Sequence, residues 1–441
     1  MHTLEQLRSG ALIGILRLRL ACGLTEFPRE IFDLADSLEI LDLSGNALSS
    51  LPDDLPRLGK LRIIFCSDNQ FTELPAVLGR CAHLSMIGFK ANRIRQVPAA
   101  SLPPALRWLI LTDNRIQELP ATIGACAQLQ KLMLAANELR ALPPQLAACS
   151  RLELLRIAAN RLGELPAWLL ELPRLTWLAY AGNPFCAERE AAALAGAEAE
   201  AIDWAQLRLL ERLGEGASGV IHRAEHRHAG GARQVAVKLF KGARTSDGLP
   251  RSEMAACVDA GAHPQLIPIL GQVNNHPDGA PGLAMALIDA QWRNLAGPPS
   301  LESCTRDIYP ADRRFDLDAL LAIASGIASA CAHLHRRGIM HGDLYGHNIL
   351  YREAGRALLG DFGAASFHDP AALHAAALQR LEVRAFGCLL EELLERCEAD
   401  AERARTMDAL TRLQAACLEL DIGTRPLFAN IESMLSALAR A

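Results

Sequence analysis

Leu38-Glu39-Ile40-Leu41-Asp42-Leu43-Ser44-Gly45-Asn46 carries leucine at its first, fourth and sixth positions and asparagine at its ninth. That asparagine recurs as Asn69, Asn92, Asn114, Asn137, Asn160 and Asn183, at intervals of 23 residues with a single 22. Most intervals also hold an aliphatic residue followed by proline: Leu51-Pro52, Leu74-Pro75, Val97-Pro98, Leu119-Pro120, Leu142-Pro143 and Leu165-Pro166. A proline in every period excludes a stack of leucine-rich helices, because proline breaks the helix ladder. Each period instead supplies one short strand whose leucines point into a shared core. No single unit can bury its own apolar side, so stability must come from stacking neighbours. The asparagine side chain is expected to bond backbone groups at the following turn, giving a ladder between coils.

Upstream, Leu18, Leu20 and Gly23 with Phe27-Pro28 form a degenerate first unit, which brings the array to seven or eight coils. The pattern resembles the leucine-rich-repeat family and implies an α/β solenoid that binds other proteins. The residues between the leucines, Ile40, Ile63, Phe65, Met86, Trp108, Ile110, Met133, Leu154 and Trp177, are then expected on the open concave side. A contiguous exposed apolar stripe marks a partner surface. A protein partner or substrate, or the rest of this chain, would cover it. Glu188-Arg189-Glu190-Ala191-Ala192-Ala193 is strong helix-forming sequence that closes the array. The sequence boundary is drawn at residue 195, with a repeat domain over 1–195 and a second domain over 196–441.

The second half opens on Leu213-Gly214-Glu215-Gly216-Ala217-Ser218-Gly219-Val220-Ile221, followed by Val235-Ala236-Val237-Lys238. A glycine turn between two strands differs from the strand–turn–helix setting of dinucleotide-binding folds. Glu253 follows, then Leu283-Ala284-Met285-Ala286-Leu287, then an apolar helix over 318–337 ended by Gly338. His341-Gly342-Asp343-Leu344-Tyr345-Gly346-His347-Asn348, Asp361-Phe362-Gly363 and Arg425-Pro426 complete the series. In this order the motifs resemble the protein-kinase family, whose domain is an α+β fold of two lobes.

The resemblance implies ATP and Mg2+ as cofactors and assigns roles by position. Leu213 to Ile221, Ala236, Lys238, Met285 and Leu287 would surround the nucleotide, with Met285 controlling the back of the pocket. Lys238 would hold the α- and β-phosphates and pair with Glu253. Asp343 would accept the proton of the acceptor hydroxyl, and Asn348 and Asp361 would bind metal. The implied activity is an ATP-dependent protein kinase for serine or threonine, with the repeats recruiting partners.

The chain departs from the family at several points. Gly342 replaces the arginine that reads a phosphorylated loop, so control by such phosphorylation is not expected. Tyr345 stands where serine/threonine kinases carry lysine and His347 where many tyrosine kinases carry arginine, which leaves the hydroxyl type open. No Ala-Pro-Glu follows Asp361-Phe362-Gly363, so Arg425 is expected to lack its usual partner. The central helix carries Glu382 where the family has aspartate. His-Gly-Asp without Ala-Pro-Glu also fits small-molecule phosphotransferases, and a weakly active scaffold that binds through its repeats is a third reading. Retention of Lys238, Asp343, Asn348 and Asp361 together speaks against a dead enzyme.

The totals agree with two domains: 441 residues, 50% hydrophobic and 22% charged, describe a well-packed chain too long for one core. A net charge of -5 gives no basic footprint for nucleic acid. Arg17 and Arg19 make the Ala11–Leu20 stretch a poor signal peptide, and Leu320–Leu334 is too short to span a bilayer. A cytoplasmic protein is expected, with signal-independent secretion left open. Cys81, Cys126 and Cys149 occupy equivalent repeat positions where other units carry Ala35, Leu58 and Leu172, as buried reduced thiols would.

Overall fold

The computed structural model describes residues 2–195, 200–216, 218–228, 230–242, 245, 247–352, 355–398 and 403–440. The chain forms two compact units, Met1–Arg174 and Leu175–Ala441.

In the first unit a short helix α1 (Leu4–Arg8), capped by Thr3, precedes seven three-residue strands. These are β1 (Arg17–Arg19), β2 (Ile40–Asp42), β3 (Ile63–Phe65), β4 (Met86–Gly88), β5 (Trp108–Ile110), β6 (Lys131–Met133) and β7 (Leu154–Arg156). They pair in parallel and in strict order, each residue level with its equivalent one repeat away, as Leu41 with Ile64 and Leu109 with Leu132. Those central leucines are fully buried. The repeated prolines precede short 3-10 turns such as Ala76–Arg80 and Ala121–Ala125. A fixed proline φ prepares the chain for such a turn, which is too short to need the missing N–H.

The asparagine ladder exists, but it reaches back to the preceding coil and not forward. Asn137 Oδ1 accepts the N–H of Ile116 at 3.0 Å, and its Nδ2 donates to the carbonyls of Leu111 at 2.9 Å and Leu134 at 3.0 Å. Asn69, Asn92, Asn114 and Asn160 repeat the pattern. The cause is the residue before each asparagine. Asp68, Ala91, Asp113, Ala136 and Ala159 adopt left-handed φ between 52° and 58°, which turns the side chain toward the previous turn. Cys81, Cys126 and Cys149 are buried, and burial pushes the Cys81 and Cys149 thiols up to about 11.

The exposed apolar stripe does not form as expected. Ile63 is 7% exposed, Met86 3% and Trp177 2%, while Phe65, Trp108, Ile110 and Met133 are half-buried. Adjacent strands stand level, so side chains of one row cover the next: the Phe65 ring lies over the Gly88 backbone and the Lys131 ammonium over the Trp108 ring at 4.2 Å.

The second unit starts before the sequence boundary, with strand β8 (Trp177–Ala179) and helix α2 (Ala187–Ala195). β9 (Glu200–Asp203), β10 (Leu207–Glu215), β11 (Gly219–His228), β12 (Gly231–Phe240), β13 (Ile269–Asn274) and β14 (Gly282–Ala286) form one sheet in the order β10-β11-β12-β14-β13-β9. Helix α3 (Pro250–Asp259) lies between β12 and β13 in sequence. The remainder is mainly helical: α4 (Leu317–Arg336), α5 (Ala375–Leu394), α6 (Ala404–Leu418) and α7 (Phe428–Leu438). Short strands β15 (Arg293–Asn294), β17 (Ile349–Arg352) and β18 (Arg356–Leu359) form a second sheet, and β16 (Ile339–Met340) pairs with β19 (Ser366–Phe367).

Helix α4 is long and apolar enough to cross a membrane, yet Ile323, Ala324, Ile327 and Cys331 are fully buried within the unit. It is the helix on which the loop after Gly338 is hung.

Candidate active site

Two antiparallel strands, β10 and β11, meet at the glycine turn, where the Gly216 N–H donates to the Gly219 carbonyl at 2.9 Å. Ala217 lies outside the described residues. Register in the sheet sets Lys238 of β12 opposite Ile221 on one side and Leu283 on the other. Ala236 is paired with Met285 in the same way. Lys238 is 8% exposed and its ammonium is bonded to the carboxylate of Glu253, 2% exposed, on α3.

Burial opposes the charge of Lys238, but the carboxylates of Glu253 and Asp361 outweigh it and hold its pKa above the usual lysine value. Burial and the nearby Asp361 push Glu253 above the ordinary carboxylate range despite the lysine. The lysine is thus bonded to Glu253 and favoured electrostatically by Asp361. Asp361 itself sits at a left-handed φ of 53°, unusual for a residue with a side chain, and its Oδ1 accepts the Gly363 N–H at 3.2 Å. A side chain begun on Gly363 would stand 3.2 Å from Asp361 Oδ1 and 3.7 Å from Glu253 Oε2, so Gly363 lies between the two carboxylates.

Gly216, Ser218, Gly219, Ile221, Lys238, Glu253, Met285 and Asp361 line one cavity of about 160 Å³. That is below the ~300–1,000 Å³ usual for a whole ligand site. Leu213, Gly214, Glu215, Val220, Ala236 and Leu287 are not in its lining. Leu213 is 48% exposed, and Glu215 is engaged with Lys241 and Arg212. Sequence reasoning missed Cys257, Leu266, Ile269 and Phe362 in the wall. Cys257 was within reach of it, because it follows Glu253 by one helical turn.

Asp343 and Asn348 lie outside that cavity lining but are joined to each other. Asn348 Nδ2 donates to Asp343 Oδ2 at 2.8 Å and to the Asp343 carbonyl at 2.9 Å. The amide nitrogen is turned toward Asp343, which leaves the amide oxygen directed away. His347 Nδ1 is 2.7 Å from Asp307 Oδ1, and the backbone N–H of His347 donates to Asp307 Oδ2 at 2.9 Å. Burial disfavours the imidazolium, but Asp307, with Asp343 and Asp361 at longer range, raises its pKa above the usual value. Asp307 was not visible as a site residue because it lies 40 residues earlier in an irregular segment.

The loop is held from below by Glu382, 1% exposed on α5. Its carboxylate accepts the N–H of Gly342 at 2.6 Å and of His341 at 3.2 Å, and faces His335 Nε2 at 2.6 Å. His341 is a core residue, fully buried, with Nε2 2.8 Å from the Gly360 carbonyl. Arg425, 1% exposed, was expected to lack its usual acidic partner; it donates instead to the carbonyls of Glu419 at 2.8 Å and Arg380 at 3.1 Å. Backbone oxygens take the place of the missing acid, and burial lowers its pKa to about 10.

Residues 207–384 match the family model described as protein tyrosine and serine/threonine kinase, and residues 37–58 match the leucine rich repeat model. The chain joins leucine-rich repeats to a protein-kinase domain.

The kinase domain is similar to the serine/threonine-protein kinase mos of Xenopus laevis, 29% identical over 164 residues, 37% of this chain and 42% of that protein. It is 33% identical over 159 residues to the serine/threonine-protein kinase AfsK of Streptomyces griseus, 36% of this chain and 18% of that protein. It is 29% identical over 167 residues to the DNA damage-responsive serine/threonine-protein kinase RqkA of Deinococcus radiodurans, 36% of this chain and 22% of that protein. The chain therefore spans less than half the length of these relatives.

Proposed function

We propose that the protein is an ATP- and magnesium-dependent protein kinase that phosphorylates serine or threonine, with its repeats recruiting a protein substrate or partner. The observation that carries this reading is the Asp343–Asn348 bond. It joins one carboxylate and one amide within a single loop, while Asp361 and Lys238 line one cavity in which the carboxylate favours the lysine's charge. Similarity to relatives named as serine/threonine kinases supports the choice of hydroxyl. The repeats would form a curved solenoid, with Trp108 and Met133, half-buried, among the residues offered to a partner.

A magnesium ion, where bound, would supply charge neutralisation at the phosphates. Asn348 and Asp361 would hold it, and so sparse a donor set suits an ion that keeps phosphate and water ligands. Lys238, fixed by Glu253, holds the α- and β-phosphates. Asp343 takes the proton as the acceptor oxygen bonds to the γ-phosphorus, and the bond to the ADP oxygen breaks. Positioning and charge neutralisation carry most of the acceleration.

The test is ATP turnover by purified full-length protein, with radiolabelled ATP offered to protein and small-molecule acceptor panels. Label on serine or threonine of protein acceptors, lost with Asp343→Ala and on chelation of magnesium, is expected. Equal turnover in Asp343→Ala sinks the enzyme assignment. Label confined to small molecules would transfer it to a small-molecule phosphotransferase.

A further inference from the structure

The kinase unit begins with strand β8, one repeat before the sequence boundary, and side chains and backbone of that segment contact the catalytic loop. Trp177 Nε1 donates to the Leu344 carbonyl at 3.0 Å, next to Asp343. Its indole stacks on Tyr345 with centroids 4.3 Å apart and planes within 7°. Tyr345 in turn lies 5.0 Å from the His347 ring, so three aromatic rings run along the loop from Leu344 to Asn348. Three and four residues after Trp177, the N–H groups of Tyr180 and Ala181 donate to Ser366 Oγ at 2.9 and 3.2 Å, in the segment after Asp361-Phe362-Gly363. The third contact is with α3. Glu190 accepts the Gly182 N–H at 2.6 Å through one oxygen and the Ser252 hydroxyl at 2.9 Å through the other, and Ser252 precedes Glu253.

Gly342 shows how closely this strand is seated. A side chain begun there would meet the Leu178 carbonyl at 2.8 Å and the Ala364 carbonyl at 2.5 Å, at a φ of 72°. The position at which related kinases carry their loop-reading arginine is filled here by backbone of the last repeat.

We infer that the segment from Trp177 to Glu190 is a built-in positioning element, which fixes the catalytic loop, the Ser366 segment and α3 together without a phosphorylated residue. The inference rests on the kinase reading for its catalytic consequence. Trp177 touches no reacting atom; it acts through Leu344 and Tyr345 on Asp343. Misplacing a catalytic group by about 1 Å can cost on the order of 100-fold in rate. Loss of the indole should therefore lower kcat while leaving the KM for ATP, set largely by other residues, near its original value.

The experiment compares the full-length wild type with Trp177→Ala, Trp177→Phe and Glu190→Gln, reading kcat and KM for ATP and amide hydrogen exchange over residues 341–348 and 364–367. Expected is a kcat roughly tenfold or more lower in Trp177→Ala with KM for ATP unchanged. Trp177→Phe, which keeps the stack and loses the Leu344 bond, should fall between. Exchange should quicken over both segments. Wild-type kcat with unchanged exchange in Trp177→Ala overturns the inference. If the wild type turns over no ATP, the kinase reading fails on its own, and exchange decides the positioning claim: faster supports it, unchanged overturns it. Should Trp177→Ala not fold, the two milder variants decide, a lowered kcat in either supporting and wild-type values in both overturning.

Discussion

The carboxylate of Glu382 accepts the backbone N–H of Gly342 at 2.6 Å, and this bond anchors the loop that carries Asp343 to helix α5. Glu382 also reaches His335 Nε2 at 2.6 Å. Burial alone would raise the carboxyl, but His335, His341 and the Gly342 N–H outweigh it and leave its pKa below the ordinary range. Its stabilising contribution is therefore complete above the unfolded carboxylate pKa and disappears as pH falls through the lower folded value. Glu382→Ala should cost about 3–5 kcal/mol, as removal of one partner from a buried pair does. Urea unfolding of wild type and Glu382→Gln across the acidic range tests this: the variant should lose part of the acid dependence, and identical pH profiles would refute the anchor.

His347 has the opposite sign. Its pKa is raised in the folded protein, so its pairing with Asp307 stabilises fully below the unfolded histidine pKa of about 6.5 and is lost as pH rises through the folded value. The ring's Cε1 proton, followed by NMR, should titrate above the usual histidine midpoint in wild type and move down in Asp307→Asn. An unmoved midpoint would show that Asp307 does not set the charge.

Asn137→Ala removes four bonds, to Leu111, Leu134, Ala135 and Ile116, and leaves the buried N–H of Ile116 without its acceptor. A loss of about 2–3 kcal/mol is expected from such an orphaned group. Thermal or denaturant unfolding reads it directly, and Asn69→Ala should behave alike because the same geometry recurs.

Gly342 cannot be exchanged for the family's arginine. The left-handed φ and the carbonyls of Ala364 and Leu178 oppose any side chain, and Gly342→Ala should cost about 2 kcal/mol or more. Gly342→Arg should therefore lower both stability and turnover. An arginine variant as stable as wild type would mean that β8 is not seated where its contacts indicate.

Much of the site was legible in the chain because its signals are local. Leu38 to Asn46 and the 23-residue period dictate strands and turns whose partners lie one repeat away. Lys238, Glu253, Asp343, Asn348 and Asp361 were readable for a similar reason, since each sits in a short motif whose spacing reflects strand, helix or loop geometry. The ladder's direction was misread because it depends on the left-handed residue before each asparagine, a dihedral that Ala91 or Ala136 does not advertise.

Sequence alone determined the two kinds of module and the identity of the acidic and basic groups, because periodicity and short motifs are properties of neighbouring residues. Only the tertiary structure decided that Trp177 leaves the expected partner stripe and lies on Tyr345, 168 positions later. It alone supplied Arg425 with carbonyls and His347 with Asp307. Those pairings bring together groups far apart along the chain, where burial and the need to satisfy each buried donor choose the partner.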